Sequence, residues 1–411
     1  MKILKKAWLG ITVIILLFLT ACGSDSGTGF HHNPPGEPVN PNPPVSPIIP
    51  PVGPDNPDPD DSDLSGSSLR ANAATSSRTR QAVWDLYQAT LAELAFSTND
   101  LFAQEPVINT SPHYRPGELS SMAVNMALNL LNTYRTLYGI NDDITAHPER
   151  FAWGQYGATA EEIIDRLTHY IATNPADKAK LLTYMTAEEL NKAVTATGAG
   201  YDAGNDLLWS GNVSSTNNVV LSVKRYIDEI NNVIANSAGH RFSMLDLTGK
   251  YAVFGAGLNR YSAMNIYGDP DETINSEDYY AWPPEGWFPK QALPDDAPWS
   301  IVLGRKYRSS VEGRGDYDEQ YPYSSEMKVY VSYDGVEAGA DALSFASNYN
   351  DDFPTITFVP PAFVKESIKS SSSAYDNAGV VEVTITVTGI RDSQGRDHYL
   401  RYATRLFQEL N

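Results

Sequence analysis

The sequence SSMAVNMALNLLNTYRTLYG, residues 120–139, repeats apolar side chains at intervals of three and four residues. This spacing places them on one face of a helix, which Ser120 or Ser121 caps and Gly139 ends. The sequence VVEVTITVT, residues 380–388, instead alternates apolar with polar residues, which is the pattern of a strand with one buried face. Strong helical and strand patterns in separate parts of one chain predict an α+β fold.

Both patterns recur on either side of these stretches. Helical spacing predicts further helices at 78–96, 160–173, 186–197 and 218–235, and the apolar run YAVFGAGL predicts a strand at 251–258. Further strands are predicted at 327–333, 355–359 and 399–407, and a turn at 392–395 pairs the last of them with 380–388 in a hairpin. Strands of this length separated by short turns are typical of an immunoglobulin-like β-sandwich, which we place at 301–411.

Length and composition set the broad class of the protein. The 411 residues exceed an ordinary single domain, so two domains are expected. With 50 acidic against 30 basic residues, the net charge of −20 repels phosphate backbones and argues against nucleic acid as a partner. The single cysteine excludes an intrachain disulfide and a zinc site built from cysteines.

The N-terminus has the features of a signal peptide. Three lysines precede an apolar run at 11–19 that is too short to favour a membrane span. The run ends in Leu-Thr-Ala-Cys at 19–22, which resembles the lipobox of bacterial lipoproteins. The resemblance implies removal of residues 1–21 and diacylation of Cys22, so that two acyl chains anchor the protein to a membrane of the bacterial cell envelope, outside the cytoplasm. An ordinary signal peptide with a chance cysteine is the alternative.

A tether is predicted at 22–69. Twelve of the 27 prolines lie between Pro34 and Pro59, among glycine, serine and aspartate and with few apolar side chains. Such a sequence cannot bury enough apolar surface to fold, and it favours an extended polyproline conformation. We expect the tether to hold the globular part, which begins with a helical segment at 70–117, away from the membrane.

Five short segments resemble, in their order and spacing, signature segments of the CAP superfamily, which includes cysteine-rich secretory proteins, antigen 5 and plant pathogenesis-related protein 1. They are LLNTYR at 130–135, GY at 200–201, SGN at 210–212, GHR at 239–241 and GAG at 255–257. The resemblance covers 118–268. It implies that this region is a CAP-like α-β-α sandwich with a central cleft.

The cleft residues depart from the family pattern. Many CAP proteins line the cleft with two histidines and two acidic residues, which can bind a divalent metal. His240 matches one histidine, but Gly211 stands where a glutamate is expected, and no histidine occurs between 175 and 185. His169 lies earlier, inside the predicted third helix. Because a zinc or calcium site needs at least three protein ligands, no metal and no cofactor are predicted.

Other residues of the five segments are candidates for the cleft or for its support. Glu229 precedes His240 by 11 residues and is a candidate neighbour of it. Asn132 and Arg135 share a helix face and are expected to hydrogen-bond to neighbouring loops. The candidate cleft residues are His240, Glu229 and Asn212, and the structural signature residues are Asn132, Arg135, Gly239 and Arg241.

An aromatic and proline-rich connector is predicted at 269–300. Its prolines argue against regular secondary structure around 282–289. Trp282, Trp287 and Phe288 are predicted to pack between the two domains, and an exposed platform that binds a glycan is the alternative.

The leading hypothesis is a non-enzymatic binding protein for a small apolar or amphipathic ligand, or for a component of the cell envelope. It depends on the resemblance together with the incomplete set of acids and histidines. Neither a G-x-S-x-G elbow nor an HExxH motif occurs in the chain. A hydrolase or peptidase that uses His240 in the cleft is one alternative. An envelope adhesin or scaffold that acts through the β domain is the other.

Overall fold

The computed structural model describes residues 64–408 with the exception of 72, 141, 203–206, 230–237, 270–278, 305–306, 308–326, 341, 348–353, 370–378 and 393. The predicted signal peptide, Cys22 and most of the predicted tether lie outside the described residues. The described part contains both helices and strands, the strands in several sheets, which confirms the α+β class. Within these ranges, no helix has the length and hydropathy that a membrane span requires.

The elements are numbered in chain order. The helices of the described residues are α1 (Ala73–Ser76), α2 (Arg80–Leu94), α3 (Ser121–Tyr138), α4 (Trp153–Ile164), α5 (Pro175–Leu181), α6 (Ala187–Thr197), α7 (Val219–Asp228), α8 (Gly239–Met244) and α9 (Ala362–Ile368). The strands of the first part of the chain are β1 (Ser67–Ser68), β2 (Phe102–Gln104), β3 (Glu118–Leu119), β4 (Thr145–Ala146), β5 (Ala199–Asp202), β6 (Leu207–Ser214), β7 (Gly249–Ala256) and β8 (Ser262–Gly268). The later strands are β9 (Tyr279–Trp282), β10 (Gly286–Pro289), β11 (Trp299–Leu303), β12 (Lys328–Tyr333), β13 (Val336–Gly339), β14 (Ala342–Ser347), β15 (Pro354–Val359), β16 (Val380–Arg391) and β17 (Asp397–Phe407).

Helices cover both faces of a five-stranded sheet with the strand order β4-β7-β8-β6-β5. Successive side chains of β7 alternate between the faces. Ala252 and Phe254 belong to the core that α3 and α7 also line, whereas Val253 packs on the other side, near Trp153 of α4. The sheet is therefore the middle layer between two layers of helices.

Local sequence explains how α3 begins and ends. The Oγ atom of Ser120 accepts a hydrogen bond from the backbone N–H of Ala123, at 3.1 Å, and so caps the helix. Gly139 ends the helix with φ = 88°, a left-handed conformation that glycine adopts without steric cost. Both boundaries agree with the prediction from the sequence.

The predicted third helix, 160–173, is wrong in its position. The helix α4 begins earlier, at Trp153, and ends at Ile164, where Asp165 adopts φ = 53°. Its start is hard to recognise because Gly154 and Gly157 are poor helix formers. Gly154 is needed because a Cβ atom there would lie 2.3 Å from the backbone of Phe254. The loop after α4, which includes His169, was wrongly assigned to the helix.

Two further sheets lie in the C-terminal half. The first has the order β1-β17-β16-β12-β13, with β10 also paired to β17, and the second has the order β14-β15-β11-β9. The predicted hairpin is confirmed, because β16 and β17 are antiparallel neighbours. On the buried face of β16, the side chains of Val381, Val383, Ile385 and Val387 are each at most 1% exposed.

The predicted absence of regular structure around 282–289 is wrong. Strands β9 and β10 occupy much of this segment, and β10 pairs in parallel with β17. Proline is tolerated there because β9 ends before Pro283 and because Pro289 is the last residue of β10, at a sheet edge. Together with β11, these strands make the predicted connector a part of both C-terminal sheets.

The two C-terminal sheets share one hydrophobic core with the five-stranded sheet and the helices α2, α3 and α7, which we call the helical half. The ring of Tyr138 in α3 lies 5.8 Å from that of Tyr280, and the ring of Tyr134 lies 6.1 Å from that of Trp282. Trp282 and Phe288 are fully buried. Trp287 is half-buried, and the guanidinium groups of Arg80 and Arg405 pack against its ring. The connector aromatics thus face the protein interior.

Candidate functional site

Helix α7 ends directly before Glu229, the residue that carries the candidate carboxylate. Asn218 caps its start by accepting a hydrogen bond from the backbone N–H of Leu221. The helix stops at Asp228, short of the end predicted at 235, because Glu229 adopts φ = 55°. This left-handed conformation is incompatible with a further helical turn. It directs the Glu229 side chain towards α8.

Glu229 and His240 form a hydrogen-bonded pair. The Nδ1 atom of His240 lies 2.9 Å from Oε2 of Glu229, and the backbone N–H of Arg241 donates to Oε1 at 2.7 Å. A carboxylate oxygen is an acceptor, so Nδ1 carries the hydrogen and Nε2 of a neutral His240 carries the lone pair. The Glu229 side chain has no exposed area and that of His240 is 19% exposed. The part of the pair that solvent or a ligand can reach is therefore the imidazole.

His169 joins this pair, contrary to the expectation from the sequence. It lies in the loop beyond α4, and its ring stacks on that of His240 with 6.3 Å between centroids and 27° between planes. Its Nδ1 atom lies 2.8 Å from the carbonyl oxygen of Thr197, to which it donates. Burial, with a smaller contribution from His240, lowers the pKa of His169 to about 4. His169 is therefore neutral near pH 7.

The loop that carries His169 is held by a buried carboxyl group. The Oε1 atom of Glu161, in α4, accepts a hydrogen bond from the backbone N–H of Thr168 at 2.9 Å. Glu161 is fully buried, and burial raises its pKa well above the ordinary value. The side chain of Tyr226 completes the surroundings, with its ring centroid 5.5 Å from that of His240. Neither residue was identified from the sequence, where both look like ordinary helix positions.

Gly211 has a steric reason to be glycine. The strand β6 approaches the end of α6 so closely that a Cβ atom at Gly211 would lie 2.5 Å from the carbonyl oxygen of Gly198 and 2.6 Å from the carbonyl carbon of Thr197. A glutamate side chain cannot occupy this position without moving the backbone. Searched over the described ranges, histidine, cysteine, aspartate and glutamate form no group of three or more arranged for a metal ion.

Asn212 and Asn132 bind neighbouring segments of the chain. The Nδ2 atom of Asn212 donates to Oγ of Ser243 at 2.8 Å, one helical turn after His240. Asn132 exchanges two hydrogen bonds with the backbone of Ile144, at 3.0 and 3.1 Å. Asn212 therefore fastens β6 to α8, and Asn132 fastens α3 to the start of β4.

The two signature arginines are fully buried. Arg135 donates from Nη1 to the carbonyl oxygens of Met244 and Asp246, which follow each other closely at the end of α8. Arg241 follows His240 within α8, which begins at Gly239, and its side chain extends to the C-terminal sheets. Both arginines donate to backbone carbonyl groups that lie at the ends of helices or in the loops beyond them.

Comparison with known proteins gives no relative on which a function could be based. No family model matches the chain, no curated protein matches it, and no solved structure matches it. The function is therefore argued from the residues and from the geometry of the cluster formed by His169, Glu229 and His240, which we call the histidine cluster.

Proposed function

We propose that the protein is a bacterial surface lipoprotein whose CAP-like domain binds a small amphipathic ligand at the histidine cluster, without catalysing a reaction. The observation that carries the proposal is the pairing of His240 with the buried carboxylate of Glu229, next to the ring of His169. The lipobox-like sequence at 19–22 supports the lipid anchor at Cys22.

The arrangement of the sheet supports the CAP-like assignment of 118–268. Helices pack on both faces of a five-stranded sheet, as the resemblance implies. The histidine cluster contains two histidines and one acid, and Gly211 replaces the second acid. The two C-terminal sheets support an immunoglobulin-like sandwich that is extended by β1, β9 and β10 from outside 301–411.

The chemistry of the cluster favours a ligand with a hydrogen-bond donor and an apolar part. The fixed Nδ1–H of His240 leaves Nε2 of the neutral ring as an acceptor for a hydroxyl or amide hydrogen. The low pKa of His169 removes a positive charge that would attract anions. The ring of Tyr226 is buried and packs against His240, so that the imidazole lies on an apolar support. A hydroxyl-bearing lipid or a similar component of the cell envelope has these properties.

Native mass spectrometry of the full chain, purified in detergent, tests this function. We expect a reproducible added mass that disappears on denaturation and that is lost in the H240A variant. The matched control is H398A, because His398 is also paired with a carboxylate, that of Asp392, but lies in the C-terminal sheets. An unliganded wild-type mass, or an added mass that H240A retains, would reject the proposal.

The same pair favours one second candidate, a hydrolase. A carboxylate that orients an imidazole through Nδ1 is also the arrangement of a general base. Where the chain is described, however, no serine or threonine hydroxyl group hydrogen-bonds to the ring of His240. Turnover of ester or peptide substrates that is abolished in H240A and kept in H398A would favour this candidate over ligand binding.

A further inference from the structure

Arg241 connects the histidine cluster to the second C-terminal sheet. Its Nε atom donates to the carbonyl oxygen of Ile227, in the last turn of α7, at 2.7 Å. Its Nη1 atom donates to the carbonyl oxygen of Pro298 at 2.8 Å and to Oγ of Ser300, in β11, at 3.1 Å. A guanidinium group has donors in a fixed plane, so these contacts fix its position relative to three segments.

The backbone of the same residue holds the carboxylate of the cluster. The N–H of Arg241 donates to Oε1 of Glu229, whose Oε2 atom accepts from His240. Glu229 is in the left-handed conformation, which a residue other than glycine keeps only where its surroundings fix it. Arg241 provides such surroundings, because its side chain holds Ile227 while its backbone holds Glu229.

The opposite charges of Arg241 and Glu229 give a second reason to link these two residues. A carboxylate without exposed area needs a nearby cation or several hydrogen bonds to remain charged. Burial lowers the pKa of Arg241, whereas the nearby carboxylates of Glu229 and Asp228 raise it. The guanidinium of Arg241 therefore attracts the same Glu229 carboxylate that its own backbone N–H holds.

We propose that Arg241 is a positioning residue of the histidine cluster, which holds the Glu229 carboxylate against Nδ1 of His240 and is itself anchored to Pro298 and Ser300 of the second C-terminal sheet. The inference rests on the proposed function for its biological meaning. Its geometry is independent of any ligand. Packing of the second sheet thereby controls the hydrogen bond that orients the imidazole.

The tautomer of the neutral His240 ring tests directly whether Arg241 positions the Glu229 carboxylate. In the full chain labelled with 15N-histidine, NMR at alkaline pH measures the ratio of the Nδ1–H to the Nε2–H form of each neutral ring. A lysine has one nitrogen and cannot reach both Ile227 and Pro298, so we expect R241K to lower the ratio at His240 at least about tenfold, as for the loss of a hydrogen bond to a charged group. S300A removes one neutral acceptor and should lower the ratio about twofold.

Arg135 provides the matched control. It is another fully buried arginine that binds backbone carbonyl groups, at Met244 and Asp246. We expect R135K to lower the melting temperature as R241K does, while the tautomer ratio of His240 stays unchanged. Equal ratios in wild type, R241K and S300A would reduce Arg241 to a structural residue and overturn the proposal. If R241K does not fold, S300A alone decides. Because this measurement needs no ligand, its failure is distinct from a failure to find one by mass spectrometry.

Discussion

His169 is a residue whose chemistry depends on its position in the fold. In water an imidazole gains a proton near pH 6.5, but in the protein the ring is buried and lies against His240. Removing the charged form from water costs free energy, and the neighbouring His240 lowers the pKa of His169 further. The ring therefore stays neutral to about pH 4, and it keeps its hydrogen bond to Thr197.

This shift predicts how stability depends on pH. Between pH 6.5 and about 4 the unfolded chain binds a proton at His169 that the folded chain does not bind. The free energy of unfolding should therefore fall on acidification through this window, by up to about 1.4 kcal/mol per pH unit from this group alone. Urea unfolding at a series of pH values measures the slope in wild type and in H169N, whose amide can still donate to Thr197.

The difference between the two slopes isolates His169. Glu161 and Asp228, whose pKa values burial raises, contribute in the opposite direction, but they do so in both proteins. On acidification from pH 6.5 to 4, we expect the free energy of unfolding of the wild type to fall more steeply than that of H169N. Parallel curves would show that His169 is protonated as readily in the folded as in the unfolded chain.

Some residues of the candidate site could be predicted individually from the sequence. His240 and Glu229 could be paired as a hypothesis, because the chain between them is short enough to turn back. The left-handed conformation of Glu229 could not be predicted, since glutamate has no preference for it. His169 was missed because Tyr170 and Ile171 continue the helical spacing of α4 beyond its end at Ile164. Only the fold shows that this loop returns to α8.

At the scale of elements, the close contact between α4 and β7 positions the histidine cluster. Gly154 of α4 and Gly255 of β7 lie against each other: a Cβ atom on Gly255 would be 1.9 Å from the carbonyl carbon and oxygen of Gly154. The Oε1 atom of Gln155 also accepts a hydrogen bond from the N–H of Ala256 at 2.6 Å. Helix and strand thus approach at backbone distance, and α4 brings the loop of His169 with it.

We therefore predict that G255A destabilises the protein strongly. Its methyl group meets backbone and not a flexible side chain, so the helix must move, at a cost of about 3 kcal/mol or more. G339A is the matched control, because Gly339 also lies in a strand but a Cβ atom there would have 3.9 Å to its nearest neighbour. Chemical denaturation measures both. A G255A variant as stable as G339A would show that α4 does not pack on β7 in this way.

The sequence predicts helices and strands correctly where one face of the element is buried. It fails where the structure of a segment depends on contacts with distant parts of the chain. The alternation of β16 and the capped helix α3 follow directly from periodicity and capping residues. The strand β10 was not predictable, because proline and tryptophan in the segment 282–289 gave no alternation to recognise. Its structure comes from pairing with β17, more than a hundred residues later in the chain.

At the scale of the whole molecule, one core joins the segments that the sequence divides into domains. The strand β1 pairs with β17, and Ala71 forms a bridge to Tyr279 of β9. Tyr134 and Tyr138 of α3 pack on the aromatic rings of β9. Residues from before and after the segment 118–268 therefore cover one side of it.

We predict that the two halves unfold together. Separating them would expose the aromatic side chains of β9 and of α3 to water, which costs free energy in either half alone. Circular dichroism, which follows the helices, and tryptophan fluorescence should therefore give coincident transitions in urea for the full chain. Two separate transitions would show that the shared core does not couple the halves.

The most direct test of ligand binding at the histidine cluster is 15N NMR of the histidine side chains in the full chain, recorded before and after extraction of the proposed ligand with organic solvent. We expect the Nε2 resonance of His240 to shift on extraction and to return when the extract is added back. The resonances of His398, in the C-terminal sheets, should not change. If the resonances of His240 stay unchanged while the mass spectrum shows that a ligand has left, then the ligand binds away from the histidine cluster and the proposed function is wrong.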